Sequence, residues 1–359
     1  MDYAERFLSS LGLIEIEGYK FSKLLGGGSA LSSLYVKGDE KVVFKFMISP
    51  RNSIELERFK LECSVLEINN ANSIRAEEGF VVDDRGFRGP KSSYPLPKLV
   101  FPFTSQLNNL VNYFAYAYEE GELLSQIDTS EYSVEDKIFL LYRVASGLNY
   151  FNQTGYSHRD LHPENILVLE GYDMPDSNQY YAENDPRIKF LDMGNCQRIN
   201  TESDWYYRIE RNLNEDAVFQ DNNRRILSSF VSMPPDFLEK GEDTKHYDTW
   251  SFGIYAYSLL FGEMPFDANQ IGDLTQLRGE RTFSDNYEAN LNSVSLGLKL
   301  ILNHLLSPTG EQRPSIDAIV RLFSWLVDRE DEFQERKFIC AVIHDGGFDP
   351  NYDPRDDCY

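Results

Sequence analysis

The stretch His158-Arg159-Asp160-Leu161-His162-Pro163-Glu164-Asn165 is the part of this chain that decides its fold. It places a carboxylate and, five residues later, a carboxamide in one short polar segment between Tyr150-Phe151 and the apolar run 166–169. A plain polar loop between two apolar segments is the alternative interpretation. Four fixed positions, H-R-D-x-x-x-x-N, rarely match a pattern by chance, and the sequence on either side decides between the two.

A second acidic motif lies downstream, in Ile188-Lys189-Phe190-Leu191-Asp192-Met193-Gly194. Its apolar residues predict a strand that ends in Asp-x-Gly. Taken alone this is a weak signal, because many strands end in an Asp–Gly turn. Its position 27 residues after Asn165, with an apolar run on each side of the gap, strengthens it.

Lys45 and Glu62 form a third candidate pair. Lys45 lies within the predicted strand 42–47, and Glu62 follows 17 residues later on a predicted helix over 53–68. A lysine in the middle of an apolar strand needs a charged partner. The alternative is an edge-strand lysine that points to solvent, together with an unrelated surface glutamate.

A glycine cluster, Gly26-Gly27-Gly28, lies between two predicted strands. A flexible loop there could lay backbone N–H groups over phosphates. The cluster departs from G-x-G-x-x-G, because Leu31 falls at the third glycine position, and an alternative alignment places Ser29 and Ser32 at the second and third. A plain hairpin loop is therefore an open alternative.

The first third of the chain is β-rich, and helical character predominates after Gly121. Apolar density and β-branched residues predict strands over 19–25, 31–36, 42–47, 99–103 and 113–118. Ser133-Val134-Glu135-Asp136 is typical of a helix start and precedes an apolar run over 138–151. A β-rich start and a larger helical remainder predict two lobes.

Together these motifs resemble the eukaryotic-type protein kinase family over roughly residues 19–328. The resemblance implies an α+β, bilobal protein-kinase-like fold with a small β-rich N-lobe and a larger helical C-lobe. The implied domains are a nucleotide-binding N-terminal lobe over 1–118, a catalytic C-terminal lobe over 119–328 with a long activation segment at 192–236, and an acidic C-terminal extension over 329–359.

The resemblance also assigns roles to individual residues. Asp160 would accept the hydroxyl proton, and Lys45, held by Glu62, would bind the phosphates of the co-substrate ATP. The implied catalytic residues are thus Asp160, Lys45 and Glu62. The implied ligands of Mg²⁺ or Mn²⁺ are Asn165 and Asp192. The implied nucleotide-binding residues are Gly26, Gly27, Gly28, Lys45 and the hinge residues Ala117, Tyr118 and Glu119, with Tyr116 behind the adenine pocket.

Motifs outside the ATP chemistry extend the resemblance. Asp248-x-Trp250-Ser251-x-Gly253 resembles the family's buried helix start, whose aspartate braces the catalytic loop. Pro234-Pro235-Asp236 occupies the place of the family's Ala-Pro-Glu motif, and Arg313 matches the arginine that pairs with that acid. The resemblance therefore implies an ion pair between Asp236 and Arg313.

The implied activity is transfer of the γ-phosphoryl group of Mg·ATP to Ser or Thr hydroxyls of proteins, the chain itself included. His162 stands where Ser/Thr kinases have a lysine that touches the γ-phosphate, and a mostly neutral imidazole would stabilise charge there less well. Asp-Leu-His-Pro also resembles aminoglycoside and choline phosphotransferases, so a small-molecule phosphotransferase is one alternative. A pseudokinase that acts as a binding module is the other. The residues that argue against it are the retained Lys45, Glu62, Asp160, Asn165 and Asp192.

The formal charge of −23 argues against nucleic-acid binding and against docking to an anionic membrane, while basic protein substrates suit it. Four scattered cysteines without a C-x-x-C pair fit a reducing compartment. With no secretory signal and no apolar run long enough to span a bilayer, we expect a cytoplasmic protein, or one in a host cytosol if it is a secreted bacterial effector. The polar insert at 200–225 is a candidate site for a regulatory partner.

Overall fold

The computed structural model describes residues 3–27, 30–72, 80–82, 88–90, 95–108, 110–153, 155–169, 187–198, 234–235, 246–266 and 283–328. The chain divides into two compact units. The first comprises residues 1–121 and 189–195, and the second comprises 122–188 and 196–359. In the described ranges, every helix is too short or too polar to cross a membrane.

The first unit is built on a six-stranded sheet with the strand order β1-β2-β3-β4-β8-β7. Its elements are α1 (Tyr3–Ser10), β1 (Glu15–Ile16), β2 (Tyr19–Gly27), β3 (Leu31–Lys37), β4 (Glu40–Ile48), α2 (Ser53–Asn72), β5 (Phe80–Val82), β6 (Arg88–Pro90), β7 (Leu99–Gln106) and β8 (Val111–Ala117). Neighbouring strands of the sheet are antiparallel, and β5 and β6 form a separate hairpin. The β-rich start predicted from the sequence is therefore confirmed.

Strand β4 is central in this sheet and is buried on both faces. Because successive side chains of a strand point to opposite faces, Phe44 and Phe46 enter one aromatic core together with Tyr35 and Tyr113. Lys45 lies on the other face. Helix α2 packs against β7 and the turn 193–195, which places its side chains near that face.

The second unit is mainly helical. Its elements are β9 (Gly121–Leu123), α3 (Val134–Gln153), β10 (Tyr156–Ser157), β11 (Ile166–Leu169), β12 (Ile188–Phe190, continuing into the first unit), β13 (Gln197–Arg198), α4 (Tyr247–Phe261), α5 (Tyr287–Leu291), α6 (Leu296–Leu305) and α7 (Ile316–Asp328). Single 3₁₀ turns occur at Pro163–Asn165 and Gly310–Gln312 in this unit and at Met193–Asn195 in the first unit. Helices α3 and α7 pack together, as do α4 and α6.

Two helix ends follow from local chemistry. The Ser133 hydroxyl accepts a hydrogen bond from the Asp136 N–H (3.1 Å), and the Asp136 carboxylate accepts one from the Ser133 N–H (3.2 Å). This reciprocal pair is a capping box and starts α3 where the sequence predicts it. Helix α4 ends at Phe261, and its C-cap residue Gly262 adopts φ +73°, a left-handed conformation that glycine reaches without strain.

Candidate active site

In the first unit, Lys45 forms an ion pair with Glu62. Its ammonium donates to both carboxylate oxygens, Oε1 at 2.8 Å and Oε2 at 2.7 Å, and lies 3.4 Å from Oδ1 of Asp192. The side chains of Lys45 and Glu62 are 10% and 3% exposed, whereas that of Asp192 is 50% exposed. The solvent-facing edge-strand alternative for Lys45 is therefore wrong, and Asp192 is the more exposed of the two carboxylates around it.

The charges in this cluster depend on one another. Burial alone would lower the pKa of Lys45, but the carboxylates of Asp192 and Glu62 outweigh this effect and hold that pKa above its ordinary value. Burial raises the pKa of Glu62, and the neighbouring ammonium opposes the rise. Lys45 therefore remains an ammonium throughout the neutral pH range.

The chain turns sharply at Asp192 itself. Asp192 has φ +61°, in the left-handed region that non-glycine residues seldom occupy. Gly194, the glycine of the Asp-x-Gly motif, does not adopt a positive φ. Such a conformation in an aspartate is held by its surroundings, and it is a feature that clusters at functional sites.

The predicted hinge residues are Ala117, the last residue of β8, and Tyr118 and Glu119, which follow it. The N–H of Ala117 donates to the Lys98 carbonyl (2.7 Å), and the N–H of Tyr118 donates to the Lys41 carbonyl (3.1 Å). These two N–H groups are therefore engaged within the first unit. Glu119 lies 3.5 Å from the ammonium of Lys189, whose side chain is 3% exposed.

The Glu119–Lys189 pair was not predicted from the sequence. The signal that could have found it is Lys189 itself, since a lysine between Ile188 and Phe190 in a predicted strand needs a partner in the same way as Lys45 does. Its partner could not be identified, because it lies 70 residues earlier in the chain.

The glycine cluster differs from the predicted loop. Gly26 and Gly27 extend β2 and pair with Ser32 and Leu31 of β3, whereas Gly28 lies outside the described residues. Ser32 also hydrogen-bonds the hydroxyl of Tyr116, and burial raises the pKa of that tyrosine to about 12. This hydrogen bond links β3, the strand that follows the glycines, to β8. Lys45 lies on β4, the strand between them, and is the cross-strand neighbour of Ser32.

In the second unit, the loop before Asp160 is held by a buried carboxylate. Asp248, at the start of α4, accepts hydrogen bonds from the N–H groups of His158 (2.8 Å) and Arg159 (2.9 Å) and from the Asn152 carboxamide (3.2 Å). The bracing aspartate inferred from the resemblance is therefore in place. Arg159 adopts φ +63°, and its guanidinium lies over the ring of Tyr247.

Three polar residues of the loop, Asp160, His162 and Asn165, lie together. The Asn165 Nδ2 donates to the carbonyl of Asp160 at 2.9 Å and lies 2.9 Å from Nε2 of His162. The Asp160 carboxylate is 4.0 Å from the same His162 nitrogen and 16% exposed. Asp160 thus places a largely buried carboxylate next to a carboxamide whose oxygen is not engaged by any described donor.

The donor chemistry suits a hard cation. Mg²⁺ and Mn²⁺ prefer oxygen ligands, and a magnesium site is commonly completed by one or two carboxylates and the phosphates of a substrate. The Asp192 carboxylate and the Asn165 carboxamide oxygen are ligands of this kind. The described residues contain no cluster of three or more His, Cys, Asp or Glu side chains, and such a site does not need one.

Other predicted features lie outside the described residues. These are Gly28, Asp236, the extension 329–359, the insert 200–225 and most of the segment 192–236. The Asp236–Arg313 ion pair therefore stays a prediction. Arg313 itself is buried, donates to the Ser307 carbonyl at 2.9 Å and lies over the ring of Trp250.

Comparison with known proteins decides the family. The protein kinase domain family matches residues 96–324, which is well over half of the chain. The chain belongs to the protein kinase family. Membership confirms the predicted α+β protein-kinase fold, with the β-sheet of the first unit and the helices of the second. The kinase match includes Asp160, Asn165 and Asp192 but begins after Lys45 and Glu62, whose pairing rests on the structure.

The kinase is similar to several Ser/Thr protein kinases. It is 28% identical over 196 residues to the calcium and calcium/calmodulin-dependent serine/threonine-protein kinase DMI-3 of Medicago truncatula, covering 54% of this chain and 32% of that protein. It is 26% identical over 213 residues to the ovarian-specific serine/threonine-protein kinase Lok of Drosophila melanogaster, covering 58% and 38%. The matched region thus spans about a third of each relative.

A third relative is the serine/threonine-protein kinase MRCK gamma of Mus musculus. The identity is 30% over 166 residues, which are 43% of this chain and 8% of that protein. The names of all three relatives specify protein kinases with Ser/Thr specificity. The small-molecule phosphotransferase alternative is therefore not favoured.

Proposed function

We propose that the chain is a protein serine/threonine kinase that transfers the γ-phosphoryl group of Mg·ATP to Ser or Thr hydroxyls of proteins, itself included. The observation that carries this proposal is the buried Lys45–Glu62 pair beside the half-exposed Asp192. Burying two charges is costly and gives little net stability. A chain that retains such a pair beside a half-exposed carboxylate is better explained by phosphate binding than by folding alone.

Each functional residue has a task that its surroundings allow. Lys45, kept charged by two carboxylates, would bind the nucleotide phosphates. Asp160 would orient the attacking hydroxyl and accept its proton. Asp192 and Asn165 would each supply an oxygen ligand to Mg²⁺ or Mn²⁺. The metal, when bound, neutralises negative charge that develops on the phosphates.

The nucleotide base would lie against the predicted hinge, Ala117, Tyr118 and Glu119, and the glycines would lie above the phosphates. Because the N–H groups of Ala117 and Tyr118 already bond to neighbouring strands, we propose that their carbonyls contact the base. The side chain of Glu119 is directed to Lys189 and would not compete for it.

The substrate class is proposed from charge and from the relatives. A formal charge of −23 favours basic proteins as substrates through electrostatic steering. The names of the similar kinases favour Ser and Thr over small-molecule acceptors. We further propose a regulatory partner at 200–225 and a reducing compartment, such as the cytoplasm, in keeping with the buried thiol of Cys63.

The test uses the full chain with Mg·ATP, alone and with a generic basic protein, followed by mass-spectrometric mapping of phosphorylated sites. The Asp160→Asn variant serves as the inactive form, and Asp285→Asn, a change at an exposed position, serves as the matched control. We expect phosphoserine or phosphothreonine with the wild type and the control, and none with Asp160→Asn.

The other outcomes discriminate the alternatives. ATP binding without any protein phosphorylation would support a small-molecule phosphotransferase and contradict the proposed acceptor. A chain that binds no nucleotide would be a pseudokinase acting as a binding module. Equal phosphorylation by Asp160→Asn would remove Asp160 from its proposed role.

A further inference from the structure

His162 and Asn165 are brought together by a single 3₁₀ turn. The turn covers Pro163–Asn165, follows His162 as its extended N-cap residue, and is closed by a 2.8 Å hydrogen bond from the Asn165 N–H to the His162 carbonyl. With three residues per turn, side chains at positions i and i+3 eclipse each other. The two side chains therefore lie on the same side of the loop, with His162 Nε2 2.9 Å from Asn165 Nδ2.

The hydrogen bonds fix which way the Asn165 carboxamide points. The atom 2.9 Å from the Asp160 carbonyl must be the amide nitrogen, because a carbonyl oxygen can only accept. That nitrogen also contacts His162 and has a second hydrogen to donate. The carboxamide oxygen is then directed away from both partners, and within the described part of the chain no donor lies within hydrogen-bond distance of it.

The same argument assigns the role of His162 Nε2 in this contact. Because the Asn165 Nδ2 can only donate, Nε2 has to be the acceptor, as it is in the ring tautomer that carries its proton on Nδ1. The Asp160 carboxylate, 4.0 Å from Nε2, is beyond hydrogen-bond distance and does not compete for that nitrogen. His162 thus acts here as an acceptor, whereas the lysine found at this position in related kinases can only donate.

We propose that His162 is a positioning residue that holds the Asn165 carboxamide so that its oxygen faces the metal ion, rather than a cation that contacts the γ-phosphate. This inference rests on the proposed function, since it assigns Asn165 to the metal. It explains how a kinase catalytic loop can contain histidine at this position, because His162 would orient the metal ligand Asn165 without itself binding the metal.

Four forms of the protein separate the two roles: the wild type, His162→Gln, His162→Ala and His162→Lys. The glutamine side chain can place an oxygen acceptor near the position of Nε2, alanine has no acceptor, and lysine supplies a positive charge without an acceptor. Because His162 is 25% exposed at the side chain, all four forms should fold, and thermal unfolding followed by circular dichroism checks this.

The first measurement is Mn²⁺ binding in the presence of a non-hydrolysable ATP analogue, followed by the electron paramagnetic resonance signal of free Mn²⁺. We expect His162→Gln to bind Mn²⁺ about as tightly as the wild type, and His162→Ala and His162→Lys to bind it roughly tenfold more weakly, as is usual when a residue that orients a metal ligand is lost. Raising the metal concentration should restore kcat in His162→Ala.

Other results would overturn the inference. Equal Mn²⁺ affinity in all four forms would show that His162 orients nothing. Wild-type behaviour of His162→Lys together with weak binding by His162→Gln would assign His162 the charge role instead. A wild type that binds neither the analogue nor Mn²⁺ would contradict the proposed function, and this inference with it, so the two failures are distinguishable.

A second measurement needs neither nucleotide nor turnover. In ¹⁵N-histidine-labelled protein at about pH 8, where histidine is ordinarily neutral, NMR distinguishes a bare Nε2 from a protonated one. The signal that disappears in His162→Gln identifies the residue. We expect the Nδ1-protonated form; an Nε2–H signal for His162 would overturn the proposed geometry.

Discussion

The carboxylate of Asp248 accepts a 2.8 Å hydrogen bond from the backbone N–H of His158, 90 residues earlier in the chain. The adjacent N–H of Arg159 donates to the other oxygen at 2.9 Å. Asp248 is fully buried, and Arg159 has a left-handed φ of +63°. One buried side chain from α4 therefore fixes the backbone just before Asp160, in a conformation that the loop would not adopt unaided.

Substitution of Asp248 should loosen this loop. Asparagine has nearly the same shape, but one of its two terminal atoms is a donor and would face a backbone N–H group. Leaving a buried donor without an acceptor should lower the free energy of unfolding by about 2 kcal/mol. Urea denaturation of Asp248→Asn measures the loss, with the exposed Asp285→Asn as control. A midpoint equal to that of the control would show that the brace contributes no stability.

Substitutions of Lys45 and Glu62 test the stability and the function of this ion pair separately. Removing one partner leaves a buried charge, so Lys45→Met and Glu62→Met should each lower the free energy of unfolding by roughly 3 kcal/mol. The double variant replaces both charges by apolar groups and should be less destabilised than the sum of the two single variants. Binding of a fluorescent ATP analogue should be lost in Lys45→Met and in the double variant.

Urea denaturation of the four forms completes this double-mutant cycle. Additive losses would mean that the two residues are not coupled, in spite of the 2.7 Å contact. Full nucleotide binding by the double variant would mean that Lys45 does not contact phosphate. The two readouts are independent, so either part of the prediction can fail alone.

Much of this arrangement could be predicted from the sequence, and the reasons differ by residue. The Lys45–Glu62 pair was predictable because a lysine amid Val42-Val43-Phe44 demands a partner and the next helix offers one. The catalytic loop was predictable because its motif has fixed spacing. The start of α3 was predictable because capping is a local interaction between Ser133 and Asp136.

The rest depended on contacts that the sequence does not reveal. Glycine is disfavoured in strands, so Gly26 and Gly27 were expected in a loop, yet pairing with Ser32 and Leu31 extends the strand through them. The contact of His162 with Asn165 depends on side-chain direction within a 3₁₀ turn. Motif spacing alone contains no such information.

Gly253, the glycine of the Asp248-x-Trp250-Ser251-x-Gly253 motif, lies where α4 and α6 pack closely, so a larger residue there should create a steric clash. A Cβ on Gly253 would lie 2.8 Å from the Cβ of Leu305 and 3.3 Å from the Leu305 carbonyl carbon, neither of which can rotate away. Helices α4 and α6 would have to separate. Alanine favours a helix over glycine by about 1 kcal/mol, but overpacking costs about 1–3 kcal/mol, so Gly253→Ala should lower the free energy of unfolding.

Urea denaturation of Gly253→Ala tests the sign of this effect. Gly26→Ala is the stability control, because a Cβ there would meet no atom within 4 Å. A Gly253→Ala protein that is more stable than the wild type would mean that α4 and α6 are not in close contact at this position, and that helix propensity governs the outcome.

The thiol of Cys63 should resist alkylation in the folded protein. Cys63 is 2% exposed on α2, and burial raises its pKa to about 11. At pH 8 only about one thiol in a thousand would be ionised, and the thiolate is the reactive form.

Ser64 is the next residue of the same helix and is exposed, so the introduced thiol of Ser64→Cys should react with iodoacetamide at least a hundredfold faster than Cys63. Peptide-resolved mass spectrometry of the variant compares the two thiols in one chain, first folded and then in urea, where both rates should become similar. If Cys63 reacts as fast in the folded protein as in urea, α2 does not stay packed against β7, and the ion pair that Glu62 forms from the same helix turn would be transient as well.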